Sequence, residues 1–205
     1  MIHVHTPRAG SNQREQPLSE GQTGKPWGPW ATLLMGVGVV LIFFAVDMAV
    51  VVAISRGLSR PEMAVVEEHG GLLLSMSTFA NALVCTGLLL GLAKLRTGIK
   101  AGDYLGFRRV QKGVVLRFLG LALLAAAVID IVPLLSGRPL VPEVMVDAYR
   151  DTEYRALYWA AVVLAAPWGE ELLFRGFLFK GFLPSRLGGT GTILFTAFTW
   201  AAIHL

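Results

Sequence analysis

The sequence predicts an all-α fold, a polytopic bundle of transmembrane helices. Charged residues make up only 16% of the chain and apolar residues 54%, whereas an average soluble domain carries roughly 25% charge. The mean hydropathy is +0.60. The apolar residues also fall in about five long blocks, which suits lipid-facing helices better than the one-sided faces of soluble ones.

Residues 1–29 are polar and rich in Gly, Pro, Gln and Ser, and read as a disordered cytoplasmic tail. His3 and His5 read as solvated histidines of that tail, although a metal-binding tail is the other reading of them. The first apolar block runs from Trp30 to Ile54. As a helix it covers about 37 Å at about 1.5 Å per residue, enough to span a bilayer with some tilt. Trp27 and Trp30 stand where an interfacial aromatic anchor belongs. The second block runs from Leu72 to Ala93 and contains the one cysteine, Cys85, which has no intrachain partner. Gly87-x-x-x-Gly91 matches the small-residue packing pattern of membrane helices. The third block runs from Val114 to Leu135, with Arg117 near its start in reach of the interface.

The fourth block, Ala156 to Phe182, has charges in its interior, and the fifth opens at Thr190 after a glycine-rich turn. There a threonine cap is expected. The fifth block is still apolar at Leu205, so the expectation is a bundle truncated at its C-terminus. Residues 30–155 thus form N-terminal helices and loops, and residues 156–205 hold the last two apolar blocks.

Basic residues set the expected topology. Lys94, Arg96, Lys100, Arg108, Arg109 and Lys112 crowd one loop, whereas Arg56 and Arg60 are alone in the loop before it. The positive-inside rule makes the 94–113 loop, the N-terminus and the 183–189 turn cytoplasmic. The +4 net charge therefore reads as bilayer orientation, and no nucleic-acid partner is expected.

The chemistry is concentrated in Pro167-Trp168-Gly169-Glu170-Glu171-Leu172-Leu173-Phe174-Arg175-Gly176. Each charge at the bilayer centre costs about 2.5–3.5 kcal/mol on insertion scales, so such residues face a bundle interior or a water-filled cavity. Glu171 and Arg175 are i and i+4 on a helix, with the acid first, and are expected to pair. Glu170 is turned about 100° from Glu171 and has no such cation on its own helix. It is the carboxylate left to act on something else, and removal from water makes a carboxylate a stronger base. Pro167 and the flanking Gly169 and Gly176 suggest either a local break that admits water or an ordinary kink.

His204 is the second candidate, although a lone histidine in an apolar helix is more often a structural hydrogen-bonder. Depth favours more. Glu171 lies about 18 Å before the 183–189 turn and His204 about 21 Å after it, so an antiparallel hairpin brings them to one level. Asp47 and Asp130, inside blocks one and three, either line the same cavity or are buried hydrogen-bonders. The chain has no His-Glu-x-x-His and no Gly-x-Ser-x-Gly, so the usual zinc-protease and serine-hydrolase motifs are missing.

Glu170-Glu171-x-x-x-Arg175-Gly176, followed by Trp200-x-x-x-His204, resembles the CPBP intramembrane proteases. That family takes in the CAAX-processing endoproteases and the bacterial Abi, or bacteriocin-immunity, proteins. Trp200 stands where the family pattern has Phe. The third motif, a His-x-x-x-Asn, is not found before the chain stops at Leu205. Asp103-Tyr104-Leu105-Gly106-Phe107 loosely resembles the segment that precedes the family core.

The resemblance implies an intramembrane endopeptidase in which Glu170 and His204 activate water and Glu171 and Arg175 support the site. It leaves the cofactor open: a divalent metal such as zinc, with the third motif supplying ligands, or oxyanion donors from that motif without a metal. A peptide or membrane-protein substrate and the lipid bilayer are the expected partners, and the bacterial inner membrane the expected location. Two rival readings are a non-catalytic immunity or scaffold protein that binds a peptide or partner, and a transporter fragment in which the charges relay protons. Oligomeric state is not legible.

Overall fold

The structure is a computed structural model and describes residues 24–204. The reading of His3 and His5, and most of the 1–29 tail, lies outside the described residues. Every regular element among those described is helical. In chain order they are α1 (Pro29–Leu58), α2 (Glu62–Glu68), α3 (Gly70–Lys94), α4 (Ala101–Tyr104), α5 (Lys112–Leu135) and α6 (Glu143–Asp151). A continuous rod follows, made of α7 (Arg155–Ala160), a π-helical stretch π1 (Ala161–Ala165), α8 (Ala166–Glu170), a second stretch π2 (Glu171–Leu178) and α9 (Phe179–Phe182). The last element is α10 (Gly188–Ala202).

The five apolar blocks correspond to α1, α3, α5, the rod and α10. Of these, α1, α3 and α5 are each long and apolar enough to cross a membrane. The chain is a polytopic helical membrane protein. With 15 residues, α10 reaches about 22 Å, short of the roughly 30 Å hydrocarbon core.

At the centre of the bundle, α3 packs α1 on one side and the rod on the other. Cys85, Leu89 and Ala93 of α3 meet Leu172, Leu173 and Phe177 of π2 in one buried cluster. Lipid tails are as apolar as leucine, so close packing and interhelical hydrogen bonds hold such helices together. Close packing is provided between α1 and the rod. Thr32 and Gly36 lie one turn apart on α1 and face Gly181 and Leu178. A Cβ on Gly36 would come 2.9 Å from Leu178 Cδ2, and one on Gly181 would collide with Thr32. The sequence pattern pointed elsewhere. A Cβ added at Gly87 or Gly91 would meet nothing within 4 Å, so neither glycine is needed for a close helix approach here.

A polar tie between α1 and α3 comes from Asn81, whose Nδ2 donates to Asp47 Oδ1 at 2.7 Å. Such interhelical bonds contribute about 0.6–1.7 kcal/mol. Asn81→Ala is expected to lower stability by about 1 kcal/mol, read from thermal unfolding in detergent micelles; an unchanged midpoint would show that the pair carries no net stabilisation. Asp47 is therefore a hydrogen-bonder between helices. Asp130 is exposed on α5, and no residue of α5 is buried.

The basic loop after α3 folds back onto the bundle. The Trp27 indole N–H donates to the Leu92 carbonyl at 3.1 Å, and Arg96 stands over the Trp27 ring at 4.9 Å. The Trp27 backbone N–H donates to the Tyr104 hydroxyl oxygen at 3.3 Å. Burial pushes the Tyr104 phenol above its ordinary pKa, partly offset by that bond and by the Arg96 charge, so the hydroxyl is neutral at physiological pH.

Candidate active site

The rod holds the charged residues, and its first wide-wound stretch, π1, lies just before Pro167. Pro167 has no N–H and cannot continue the α-helical ladder. The residue before it compensates, because the Ala166 N–H bonds the Ala161 carbonyl in an i→i+5 closure. In π2 the same closure recurs, from the Phe179 N–H to the Phe174 carbonyl. No open break forms at Pro167, which corrects that reading of the sequence. The backbone is re-bonded in the wider π geometry, a form that is rare and tends to occur at functional sites.

The winding sorts the side chains of π2. Leu172, Leu173, Phe174, Phe177 and Leu178 are buried, whereas Glu171 and Arg175 face outward. Arg175 Nη1 meets Glu171 Oε1 at 2.9 Å, the i,i+4 pair that the spacing predicts. Residues of α3 and of the loop after it brace the rod. The Trp168 indole N–H donates to Thr86 Oγ1 of α3 at 2.9 Å, and Phe107 stacks on Trp168 with ring centroids 5.9 Å apart. Tyr104 packs on Phe177 at the same centroid distance. The loosely matched segment 103–107 thus supports the helix that carries the two glutamates, a role that sequence did not disclose.

The reversal into α10 runs through residues 183–187 and turns on Gly188, which has φ +60°. That conformation costs glycine nothing. The helix then starts at Gly188 with no side-chain cap, so the expected threonine cap is not made.

The hairpin brings His204 to Glu170. Glu170 Oε1 and His204 Nε2 are 3.7 Å apart, and both side chains are part-exposed, 36% and 43%. Trp200 touches both residues. Its indole N–H donates to Glu170 Oε2 at 2.8 Å. Its backbone carbonyl lies 2.7 Å from His204 Nδ1, and its ring lies 4.2 Å from the imidazole ring. A carbonyl only accepts, so Nδ1 carries the hydrogen. In neutral His204 the lone pair then sits on Nε2, facing Glu170.

A cavity of about 590 Å³ opens beside this group. Glu170, Glu171 and Arg175 line one wall, and Ile193, Thr196 and Trp200 of α10 line the other. Asp47 and Asp130 do not line it. Among the described residues no three His, Cys, Asp or Glu side chains converge. A catalytic zinc takes three protein ligands. Glu170 and His204 supply two, and Glu171 is committed to Arg175, so the described residues alone do not make a zinc centre.

Fold and site together describe a helical membrane protein with a carboxylate–imidazole pair at the edge of a cavity. Residues 152–205 match the family model of the Rce1-like, type II CAAX prenyl endopeptidases. The matched segment carries both motifs, in agreement with the family resemblance read from them. No match was found among curated proteins or among solved structures.

Proposed function

We propose that the protein is an intramembrane endopeptidase of the CAAX type, hydrolysing a peptide bond in or near the membrane. The observation that carries this reading is the 3.7 Å approach of Glu170 to His204. Both facing atoms are hydrogen-bond acceptors when the imidazole is neutral. Two acceptors so close favour a molecule with two hydrogens between them, and a water about 2.8 Å from each fits off their axis. Both its hydrogens are then engaged, and its oxygen lone pairs are left free to attack.

The reaction follows from that placement. Glu170 or His204 takes one proton from the water as its oxygen bonds to the peptide carbonyl carbon. The C–N bond then breaks, and the same proton passes to the leaving amine. Arg175, held at the cavity wall by Glu171, is a cation within the substrate's space and supports the developing oxyanion. The partners are a peptide or membrane-protein substrate and the surrounding bilayer. The 94–113 loop and the N-terminus lie in the cytoplasm of a bacterial cell, its inner membrane holding the helices.

The test is cleavage by the full-length protein in proteoliposomes. Two quenched-fluorescent peptides serve as probes, one ending in a prenylated CAAX sequence and one in the same sequence without the prenyl group. Cleavage of either by wild type, lost in Glu170→Gln, supports the reading. Equal cleavage by the variant rejects the role of Glu170. No cleavage by wild type, with protection against a toxic peptide that survives Glu170→Gln, favours the immunity or scaffold alternative. Proton-coupled uptake without cleavage favours a transporter.

A further inference from the structure

We propose that Trp200 is a positioning residue that fixes Glu170 and His204 relative to each other, an inference that rests on the protease reading. One residue holds both partners by separate groups. Its indole N–H donates to Glu170 Oε2 at 2.8 Å, which leaves Oε1 as the oxygen turned to His204. Its backbone carbonyl receives the His204 Nδ1 hydrogen at 2.7 Å, which sets the tautomer with the Nε2 lone pair toward Glu170. Its ring also lies against the imidazole at 4.2 Å, which restricts rotation of that ring.

A phenylalanine at this position keeps the backbone carbonyl and an aromatic face but has no N–H. The Glu170 carboxylate would then be free to rotate about its terminal torsion, which is soft. The indole also occupies one oxygen with a charge-assisted bond. Trp200 thus holds the Glu170 carboxylate with its other oxygen toward the water. Glu171 and Arg175, paired with each other on the outer face of π2, leave this task to α10.

The experiment uses the full-length protein with isotope-labelled tryptophan in detergent micelles, and the same quenched-fluorescent peptides. The resonance missing from W200F identifies the Trp200 indole N–H. It is expected downfield of free indole and is expected to move upfield in E170A. In cleavage, W200F is expected to lower kcat about tenfold, the scale of one hydrogen bond to a charged group, with KM little changed. An indole resonance indifferent to E170A overturns the proposal, and so does wild-type kcat in W200F. If W200F does not fold, the E170A shift, measured with Trp200 intact and read as the one resonance that moves, still decides. A wild-type protein that cleaves neither peptide yet shows the shift sinks the protease reading and leaves the contact standing, so the two fail separately.

Discussion

Glu170→Gln is expected to lower kcat by on the order of a thousandfold, within the range that a positioned general base supplies. The substitution preserves shape, and the amide oxygen still accepts the Trp200 N–H. It removes the negative charge and places an NH₂ where an acceptor stood. If that NH₂ replaces Oε1 opposite His204, it donates to the Nε2 lone pair and competes with the water for it. Binding of peptide in the cavity does not depend on that charge, so KM should change little. The loss then lies in the chemical step. The measurement is the initial rate in proteoliposomes for both proteins, with thermal unfolding midpoints compared in micelles. Matching midpoints with a thousandfold lower rate assign the effect to chemistry. Matching midpoints with matching rates would remove Glu170 from the mechanism.

Gly181→Ala is expected to destabilise the bundle by about 1–3 kcal/mol, the usual cost of overpacking a tight contact. Ordinarily a glycine-to-alanine change inside a helix gains up to about 1 kcal/mol. Here the steric term wins, because a Cβ at residue 181 would meet Oγ1, Cγ2 and Cβ of Thr32 together. Thr32 is fully buried, and β-branched side chains are stiff at χ1, so it has little room to turn away. Thr32→Ala removes two of the three colliding atoms. The double variant should therefore recover part of the loss, a coupling that a thermal-unfolding cycle measures. Simple additivity of the two changes would mean that α1 and α9 are not in direct contact at this point.

Much of this arrangement was legible in the sequence because it follows from length and spacing. Five apolar blocks became three long helices, the rod and α10. Glu171 and Arg175 meet because i and i+4 share a helix face even where the winding widens. Glu170 and His204 come together because rise per residue fixes depth on both arms of a hairpin. What escaped the sequence depends on contacts between distant segments. Nothing in the spacing of Trp200 shows that its indole points at Glu170. The Tyr104–Phe107 segment was legible only as a loose match within the basic loop, and its packing on Phe177 and Trp168 was not. The Gly87–Gly91 pattern misled for the same reason: a small residue permits close approach but does not choose the partner. The helix interface formed instead at Gly36 and Gly181, which no repeat marks.

The π-helical stretches bear on how this chain tolerates insertions and deletions. An i→i+5 ring takes in one residue more than an i→i+4 ring, so π2 holds slack within a continuous helix. Removing one residue from Glu171–Leu178 could be absorbed by tightening into α form, with no break in the rod. The residue lost is then the extra one that the wide turn holds, so what lies beyond it keeps its phase relative to what precedes it. Gly181 stays opposite Thr32, and the hairpin still delivers His204. A single-codon deletion in this stretch is thus expected to spare both the helix and the site, whereas the same deletion in a purely α-helical segment would turn everything beyond it by roughly 100°.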